Sequence, residues 1–238
     1  MGVIIFNGVS SENYAIQVEH LPGYETPEKN YTIIHIPGRN GDLAIDEGSY
    51  KNTPRSYEIA IGSITKNFTS MANNVSRWLR SASGYARLED SYEPDYYRLA
   101  LYKEAGILTN ILGHAGRAVV NFECKPQRFL KAGDKPITVT SGQILWNPTG
   151  YEAKPTIILS GIGAASLSVG AHTVTISNIG SSLTLNSDIE DAYNGSVNRN
   201  SDISLPNGIF PKLVAGDNTI SFSGGISAVS IIPRWWTI

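Results

Sequence analysis

Few side chains in this sequence have the types and spacing that catalysis or metal binding requires. The four histidines, His20, His35, His114 and His172, lie far apart, and none belongs to a His-x-His or His-x-Glu pair. Isolated imidazoles do not provide the clustered ligands of a zinc site. No Gly-x-Ser-x-Gly nucleophile elbow occurs either. We therefore predict no catalytic, metal-binding or cofactor-binding residues and no enzymatic activity, and a β-sandwich hydrolase is the least supported class.

The single cysteine, Cys124, lies between Phe122 and Pro126 in a strand-like run. One cysteine cannot form a disulfide within the chain or a thiolate metal cluster. We expect a buried structural thiol rather than a reactive one.

Two further patterns are candidates for ligand binding. Gly161-Ile-Gly163-Ala-Ala-Ser166 lacks the third glycine of the dinucleotide fingerprint and no helical pattern follows it, so a turn between strands is the better interpretation. The acidic residues Asp188, Glu190 and Asp191 could hold Ca²⁺ or act as a glycosidase pair. Their spacing matches no EF-hand and fixes no carboxylate separation, which favours a solvated loop.

Aromatic residues are the other candidates, because a flat aromatic strip can stack on sugars. Tyr193, Trp235 and Trp236 in the second half of the chain are the candidate contacts for a sugar or a partner. The other clustered aromatics are Tyr92, Tyr96, Tyr97, Tyr102, Trp146 and Tyr151. Sandwich cores and protein interfaces are built from the same residues, and that interpretation is favoured.

Composition restricts the class of protein. The 238 residues are 41% hydrophobic and 17% charged, with 23 Gly and 12 Pro, which favours a folded, mainly β protein rich in turns. The net charge of −2 and the lack of a Lys/Arg run argue against charge-driven binding to nucleic acid. We expect no signal peptide and no membrane-spanning segment, and synthesis in a cytoplasm.

A long hairpin is predicted near the N-terminus. Thr32 to Ile36 is β-branched and apolar, Gly38 follows it, and Arg39-Asn40-Gly41-Asp42 reads as a tight turn because Asn-Gly favours positive φ. A second turn is expected around Asp46 to Gly48, and a third strand from Arg55 to Ile61. Such a hairpin needs something to pack on.

One helix is predicted, from about residue 68 to 81, with Asn67 as N-cap and Gly84 as the stop. Its apolar face comprises Met71, Val75, Trp78 and Leu79. Strands are expected around it at Tyr85 to Glu89, Tyr96 to Lys103 and Ala118 to Glu123, with an uncertain one at Ile107 to Leu112.

Near residue 131 the composition changes, and short strand-like runs then recur between turns. They are Ile137 to Thr140, Thr156 to Ser160, Ala165 to Val169, His172 to Ile176, Ser182 to Leu185, Thr219 to Phe222 and Ala228 to Ile232. We predict a β domain with one helix at 1–131 and a jelly-roll type β-sandwich at 132–238.

Several segments, in order, resemble the distal tail protein (Dit) family of long-tailed phages that infect Gram-positive bacteria. They are the Pro37 to Asp42 turn, SRWLRSASGYARLEDSYEPDYYRLA, NFECKPQRFL, NPTGYEAKPTIILSG and the ending IIPRWWTI. The resemblance implies an N-terminal β-sandwich related to tail-tube proteins, with one helix, and a C-terminal galectin-like sandwich. No segment is long enough to be an inserted carbohydrate-binding domain.

The resemblance also implies a structural role in the virion. Dit proteins form a hexameric ring at the tip of the tail tube, between the major tail protein and the tail-associated lysin or fibre. They hold receptor-binding proteins, and DNA leaves through the channel without sequence recognition. A head-to-tail ring needs two different patches on each subunit. The hairpin tip Gly38, Arg39, Asn40, Gly41 and Asp42 is the candidate interface, where Arg39 could bind a neighbour's carboxylate. The alternative is a carbohydrate-binding module for adsorption to the host surface.

Overall fold

The computed structural model describes residues 2–20, 22–62, 67–103, 109–111 and 115–238, and it is built mainly from β-strands. Up to residue 130 the strands are β1 Ile4–Phe6, β2 Val9–Ser10, β3 Ile16–Val18, β4 Lys29–Ile34, β5 Leu43–Tyr50, β6 Thr53–Gly62, β7 Ala86–Asp90, β8 Tyr96–Leu101, β9 Thr109–Asn110 and β10 Ala115–Leu130. The later strands are β11 Ile137–Val139, β12 Gln143–Asn147, β13 Thr156–Val169, β14 His172–Ile176, β15 Ser181–Asn186, β16 Asp191–Asn194, β17 Val197–Asn198, β18 Ile203–Ser204, β19 Gly216–Ile232 and β20 Trp236–Thr237. The helix α1 spans Phe68–Leu79, and single 3₁₀ turns lie at Ser11–Tyr14, Lys131–Asp134 and Asn200–Asp202.

The chain divides into two compact units. Unit 1 comprises residues 1–128 together with Ile238, and unit 2 comprises residues 129–237. The assignment of residues 1–131 to a β domain with one helix and of 132–238 to a second domain stays a prediction. His114 and half of the expected strand at 107–112 lie outside the described residues, and within that stretch 109 and 110 form β9.

Unit 1 is a curled antiparallel sheet in the order β2-β1-β7-β8-β10-β6-β3. Gly2 exchanges two backbone hydrogen bonds with Val18, of 3.2 and 3.3 Å, so the chain just before β1 meets β3 at the far end of the sheet. The inward side chains form one core with the helix, in which Phe6 and Phe122 lie with ring centroids 4.9 Å apart.

The helix α1 covers this core as the sequence predicts. Asn67 caps it, because its side chain accepts the Ser70 N–H at 2.8 Å. Met71, Val75, Trp78 and Leu79 are its buried residues. The helix ends at Leu79, two residues before the predicted end near 81, and Arg80 follows as its C-cap. In the part of the chain that the structure describes, no helix is long and apolar enough to span a membrane.

Unit 2 is organised around two long paired strands, β13 and β19, rather than the four short runs that the sequence suggests. Their register shifts between Ser160 and Ala165, where Gly161 and Gly163 adopt positive φ. A Cβ on Gly225 would lie 1.8 Å from the Ile162 carbonyl oxygen, so only glycine permits the close approach there. The Gly161 motif is therefore a β-bulge within one strand, and the expected turn between strands is wrong.

The bulge lets each long strand serve both halves of the sheet. Before it, β13 pairs with β15, and after it with β14. Ile157 and Leu159 from the first half join Leu167 and Val169 from the second in a single buried core. Unit 2 is thus a sheet folded onto itself, the sandwich expected from the alternating pattern.

Candidate functional site

The ribbon formed by β4 and β5 is a contiguous exposed apolar feature of unit 1. It forms a two-stranded sheet of its own, separate from the large sheet. Five of its large apolar residues are 38% to 58% exposed: Tyr31, Ile33, Ile34, Leu43 and Ile45. An isolated two-stranded hairpin is marginally stable in water, and exposed apolar patches usually mark interaction sites. The ribbon therefore has the properties of a surface that a partner covers.

Both faces of the ribbon are apolar. Ile34 pairs with Leu43, and Ile45 lies on the same face because it pairs with Thr32. Tyr31 and Ile33 lie on the opposite face, paired with Asp46 and Ala44. We call Ile34, Leu43 and Ile45 the aliphatic face. A partner could cover either face or enclose the ribbon.

The tip of the ribbon differs in detail from the predicted turn. The hydrogen-bonded turn is Ile36-Pro37-Gly38-Arg39, in which the Arg39 N–H donates to the Ile36 carbonyl at 3.2 Å. Pro37 and Gly38, with φ of +79° at Gly38, fit the central positions of a type II turn. The tight turn expected at Arg39-Asn40-Gly41-Asp42 is thus wrong, although Gly38 to Asp42 do lie exposed between the two strands.

The second predicted turn, Asp46 to Gly48, is also wrong, because these residues lie inside β5. Lys29 pairs with Tyr50 and Tyr31 with Asp46, so two steps along β4 correspond to four along β5. Gly48 adopts a φ of +69°, and its N–H donates to Asp46 at 2.9 Å. The glycine thus marks a bulge, which also places the Asp46 carboxylate 2.8 Å from the Lys29 ammonium.

A buried network of charges lies in unit 1 beside the root of the ribbon. Arg55 on β6 binds Asp90 at 2.9 Å and Glu93 at 3.4 Å. Glu93 also binds Arg98 on β8 and Arg128 on β10, the latter at 2.8 Å. The Tyr57 hydroxyl donates to Asp90 at 2.7 Å. We call Arg55, Asp90, Glu93, Arg98 and Arg128 the charge network.

The network keeps both of its acids ionised. Burial by itself would raise the pKa of Asp90, but hydrogen bonds from Tyr57 and Arg55 outweigh it and hold the pKa below the ordinary value. Burial likewise opposes ionisation of Glu93, and hydrogen bonds from Arg98 and Arg128 lower its pKa. Asp90 also accepts the backbone N–H groups of Tyr92 and Glu93 at 3.0 and 2.9 Å, which fixes the turn between β7 and β8.

The aromatic residues chosen from the sequence do not form one exposed platform. Trp235 is only 9% exposed and packs in the core of unit 2. Trp236 is half-buried, stacks on Tyr151 at 4.5 Å, and donates its indole N–H to the Glu152 carbonyl. Tyr193 is half-buried on β16. The exposed tryptophan is Trp146, 59% exposed on β12.

Two of the three acidic candidates have structural partners. Asp188 binds Arg234 at 3.1 Å, and Asp191 accepts hydrogen bonds from Asn198 and Asn200. Among the described residues, no group of three His, Cys, Asp or Glu side chains could hold a metal ion. Cys124 is buried, as predicted, and burial raises the pKa of its thiol to about 12. Such a thiol is almost entirely protonated near neutral pH.

Comparison with solved structures gives an informative match. The crystal structure of the SPP1 Dit (gp 19.1) protein, described as a paradigm of the hub adsorption apparatus in Gram-positive-infecting phages, superposes with a TM-score of 0.78. The match covers 100% of both chains at 12% sequence identity. The chain has the Dit fold. No protein-family model matches the sequence, and neither does any curated protein.

The Dit-like segments of the sequence acquire physical roles in this fold. The run from Asp90 to Tyr97 supplies both acids of the charge network, and NFECKPQRFL supplies Arg128 and the buried Cys124. Reasoning from the sequence missed the network, because its members lie on four segments that meet only in the folded sheet. The available signal was a charged residue inside a strand-like run, as at Arg55 and Arg98.

Proposed function

We propose that this chain is a phage distal tail hub protein, whose copies form a hexameric ring joining the tail tube to the receptor-binding apparatus. The full-length likeness to the SPP1 Dit protein supports this role. That protein belongs to a hub adsorption apparatus, and a shared fold over the whole of both chains is what a shared role in assembly requires. The proposed role needs no catalytic residues. Its location is the virion, after synthesis in the host cytoplasm.

The exposed ribbon supports self-assembly. A closed ring needs two different complementary patches on each copy. The aliphatic face and the exposed tip around Arg39 provide one such patch, for which the neighbouring copy is the proposed partner. Covering these side chains would remove apolar surface from water, at roughly 25 cal/mol for each Å² buried.

The remaining partners follow from the hub role. One side of the ring would meet the tube protein, and the other a tail-associated lysin or fibre, with receptor-binding proteins held at unit 2. Genomic DNA would pass through the channel without sequence recognition. The net charge of −2 and the lack of a Lys/Arg run are consistent with a passage to which DNA does not adhere.

The solution mass of the purified chain tests the proposal. Light scattering should give about six times the subunit mass of 25.8 kDa, and negative-stain images should show six-fold rings with an open centre. If the chain remains a monomer at high concentration, both alone and with a tube protein, the hub proposal is wrong.

A second candidate function is carbohydrate binding by unit 2, which Trp146 favours. Its exposed indole and Ile144 share the outer face of β12, and Asp217 lies directly across from Trp146. An aromatic ring can stack on a sugar while a neighbouring carboxylate accepts hydrogen bonds from the sugar's hydroxyl groups. Glycan-array binding that disappears in Trp146→Ala would support this function, and an array without signal would reject it.

A further inference from the structure

The charge network reaches the chain segment that leads into the ribbon. Residues 22–28 precede β4 and have no regular secondary structure. Two arginines of the network nevertheless hold this segment. Arg55 donates to the Gly23 carbonyl at 2.8 Å, and Arg128 donates to the Tyr24 hydroxyl at 2.7 Å. The entry to the ribbon is therefore fastened to the body of unit 1.

Arg128 makes the more elaborate of these two contacts. Its guanidinium lies 5.0 Å from the ring centroid of Tyr24 and 5.1 Å from that of Tyr96. It also donates to Glu93 and to the Ile238 backbone oxygen, both at 2.8 Å. A planar guanidinium can satisfy all these partners together because it combines a rigid fork of donors with stacking faces. Arg128 thus holds Tyr24 in one place and orientation.

The exit from the ribbon is fastened as well. Asn52, between β5 and β6, donates to the Tyr85 hydroxyl and to the Glu123 carboxylate, both at 2.6 Å. Glu123 is itself paired with Lys103. Between the two roots, the Lys51 N–H donates to the Glu28 carbonyl at 2.8 Å. Both strands of the ribbon therefore start from positions fixed by side chains of the large sheet.

Tyr24 contributes little to the core. It is 64% exposed, and it belongs to no buried apolar cluster. Its contacts with Arg128 therefore fix its position and orientation and bury little apolar surface. Holding a binding element in its bound orientation before association lowers the entropy lost on binding.

We propose that the charge network, acting through Arg128 and Tyr24, is a positioning device that sets the direction of the ribbon before copies of the chain assemble. Arg128 and Tyr24 are the positioning residues for entry, and Asn52 is the positioning residue for exit. The inference rests on the proposed function in one respect, since the ribbon is taken as the surface that a neighbouring copy covers.

A distance measurement on the ribbon tests the device directly. Spin labels on Asn40→Cys at the tip and Ser83→Cys on the exposed chain after α1 report the direction of the ribbon. The buried Cys124 is expected to remain unlabelled. Ile34→Ser and Ile45→Ser are included throughout, so that contacts with neighbouring copies do not hold the ribbon in place. Pulsed electron resonance then gives the distribution of tip-to-body distances.

We expect a narrow distribution of tip-to-body distances in the protein that carries Ile34→Ser and Ile45→Ser. After Tyr24→Ala the distribution should be about twofold broader or more, because the released segment then behaves as a flexible linker. Tyr24→Phe keeps the ring under Arg128 and should restore part of the narrow distribution. Lys212→Ala, which removes the exposed ion pair with Glu152 in unit 2, is the matched control and should change nothing. The melting temperature should be the same in all of these variants.

An unchanged width in Tyr24→Ala would overturn the inference. The full chain carrying only Tyr24→Ala supplies the assembly readout, and we expect fewer rings than for the parent. If the parent forms rings and Tyr24→Ala leaves the width of the distance distribution unchanged, the proposal of a positioning device is wrong and the hub proposal stands. If the parent forms no ring while Tyr24→Ala broadens the distribution, the hub proposal fails and the device remains.

Discussion

Arg55 and Asp90 form an ion pair of 2.9 Å in which the two side chains are only 5% and 2% exposed. Two charges buried in this way are tolerated because each has further partners. Asp90 accepts from Tyr57 and two backbone N–H groups, and Arg55 donates to the Gly23 carbonyl. The pair links β6 to the turn after β7 and thereby holds the body of unit 1 and the root of the ribbon in one arrangement.

Removing one member of this pair should be costly. Asp90→Ala leaves the Arg55 guanidinium buried without its main counter-charge, and we expect a loss of about 3–5 kcal/mol in the free energy of unfolding. Chemical denaturation followed by circular dichroism measures the loss. Arg117→Ala is the control, because its exposed pair with Glu19 should contribute less than about 1 kcal/mol. Equal losses in the two variants would show that the buried pair contributes no more to stability than the exposed pair.

The network also makes stability depend on pH. The folded-state pKa values of Glu93 and Asp90 lie below their ordinary values of 4.5 and 3.8. Between each ordinary value and the lower folded value, the unfolded chain binds more protons than the folded chain. The stabilisation is therefore complete above about pH 4.5 and is lost as the pH falls through the folded values. Denaturation midpoints measured across this acidic range should decline steadily.

Glu93→Gln identifies the source of that decline. The amide cannot titrate, so the variant should be less stable near neutral pH and should lose less on acidification than the parent. A Glu93→Gln variant with the parental slope would show that other groups determine the acid response.

Cys124 provides a chemical probe of unit 1. Burial raises the pKa of this thiol to about 12, so in the folded protein it is both protonated and inaccessible. We expect very slow reaction with a thiol reagent in mildly alkaline buffer and prompt reaction in guanidinium chloride. The rate under native conditions should rise in Asp90→Ala, since destabilised chains open more often. Fast labelling of the parent protein would contradict the buried position.

The aliphatic face should control assembly without controlling folding. Ile34→Ser with Ile45→Ser replaces two exposed side chains, so the free energy of unfolding of the monomer should change by about 1 kcal/mol or less, at about 0.5 for each. Ring formation should weaken by at least about tenfold, because each isoleucine buried in an interface contributes roughly 1.5–3 kcal/mol. Light scattering over a concentration series measures the change.

The control for the ribbon variant is Ile162→Ser. Ile162 is 80% exposed on the bulge of unit 2 and is the same kind of exposed apolar residue away from the ribbon. It should leave the assembly curve at the parental position. If the ribbon variant assembles like the parent, another surface of the chain makes the ring.

The sequence predicted those features that depend on neighbours in the chain. The apolar face of α1 and the Asn67 cap repeat at helical spacing, and the sandwich of unit 2 follows from alternation along its strands. The resemblance to the Dit family, based on short ordered segments, is confirmed at the level of the fold. Turn positions were less well predicted, because Gly41 and Gly48 could serve either a turn or a bulge.

Only the tertiary structure decided which of these residues act together. Alternation places Ile33 and Ile45 in strands but cannot say that the large sheet leaves their ribbon uncovered. Trp146 and Trp235 are equivalent aromatics in sequence, yet one is exposed and the other buried, because exposure depends on strands distant in the chain. Arg55, Asp90 and Arg128 likewise come together only when β6, β7 and β10 join one sheet, since electrostatic contacts follow distance in space and not separation in sequence.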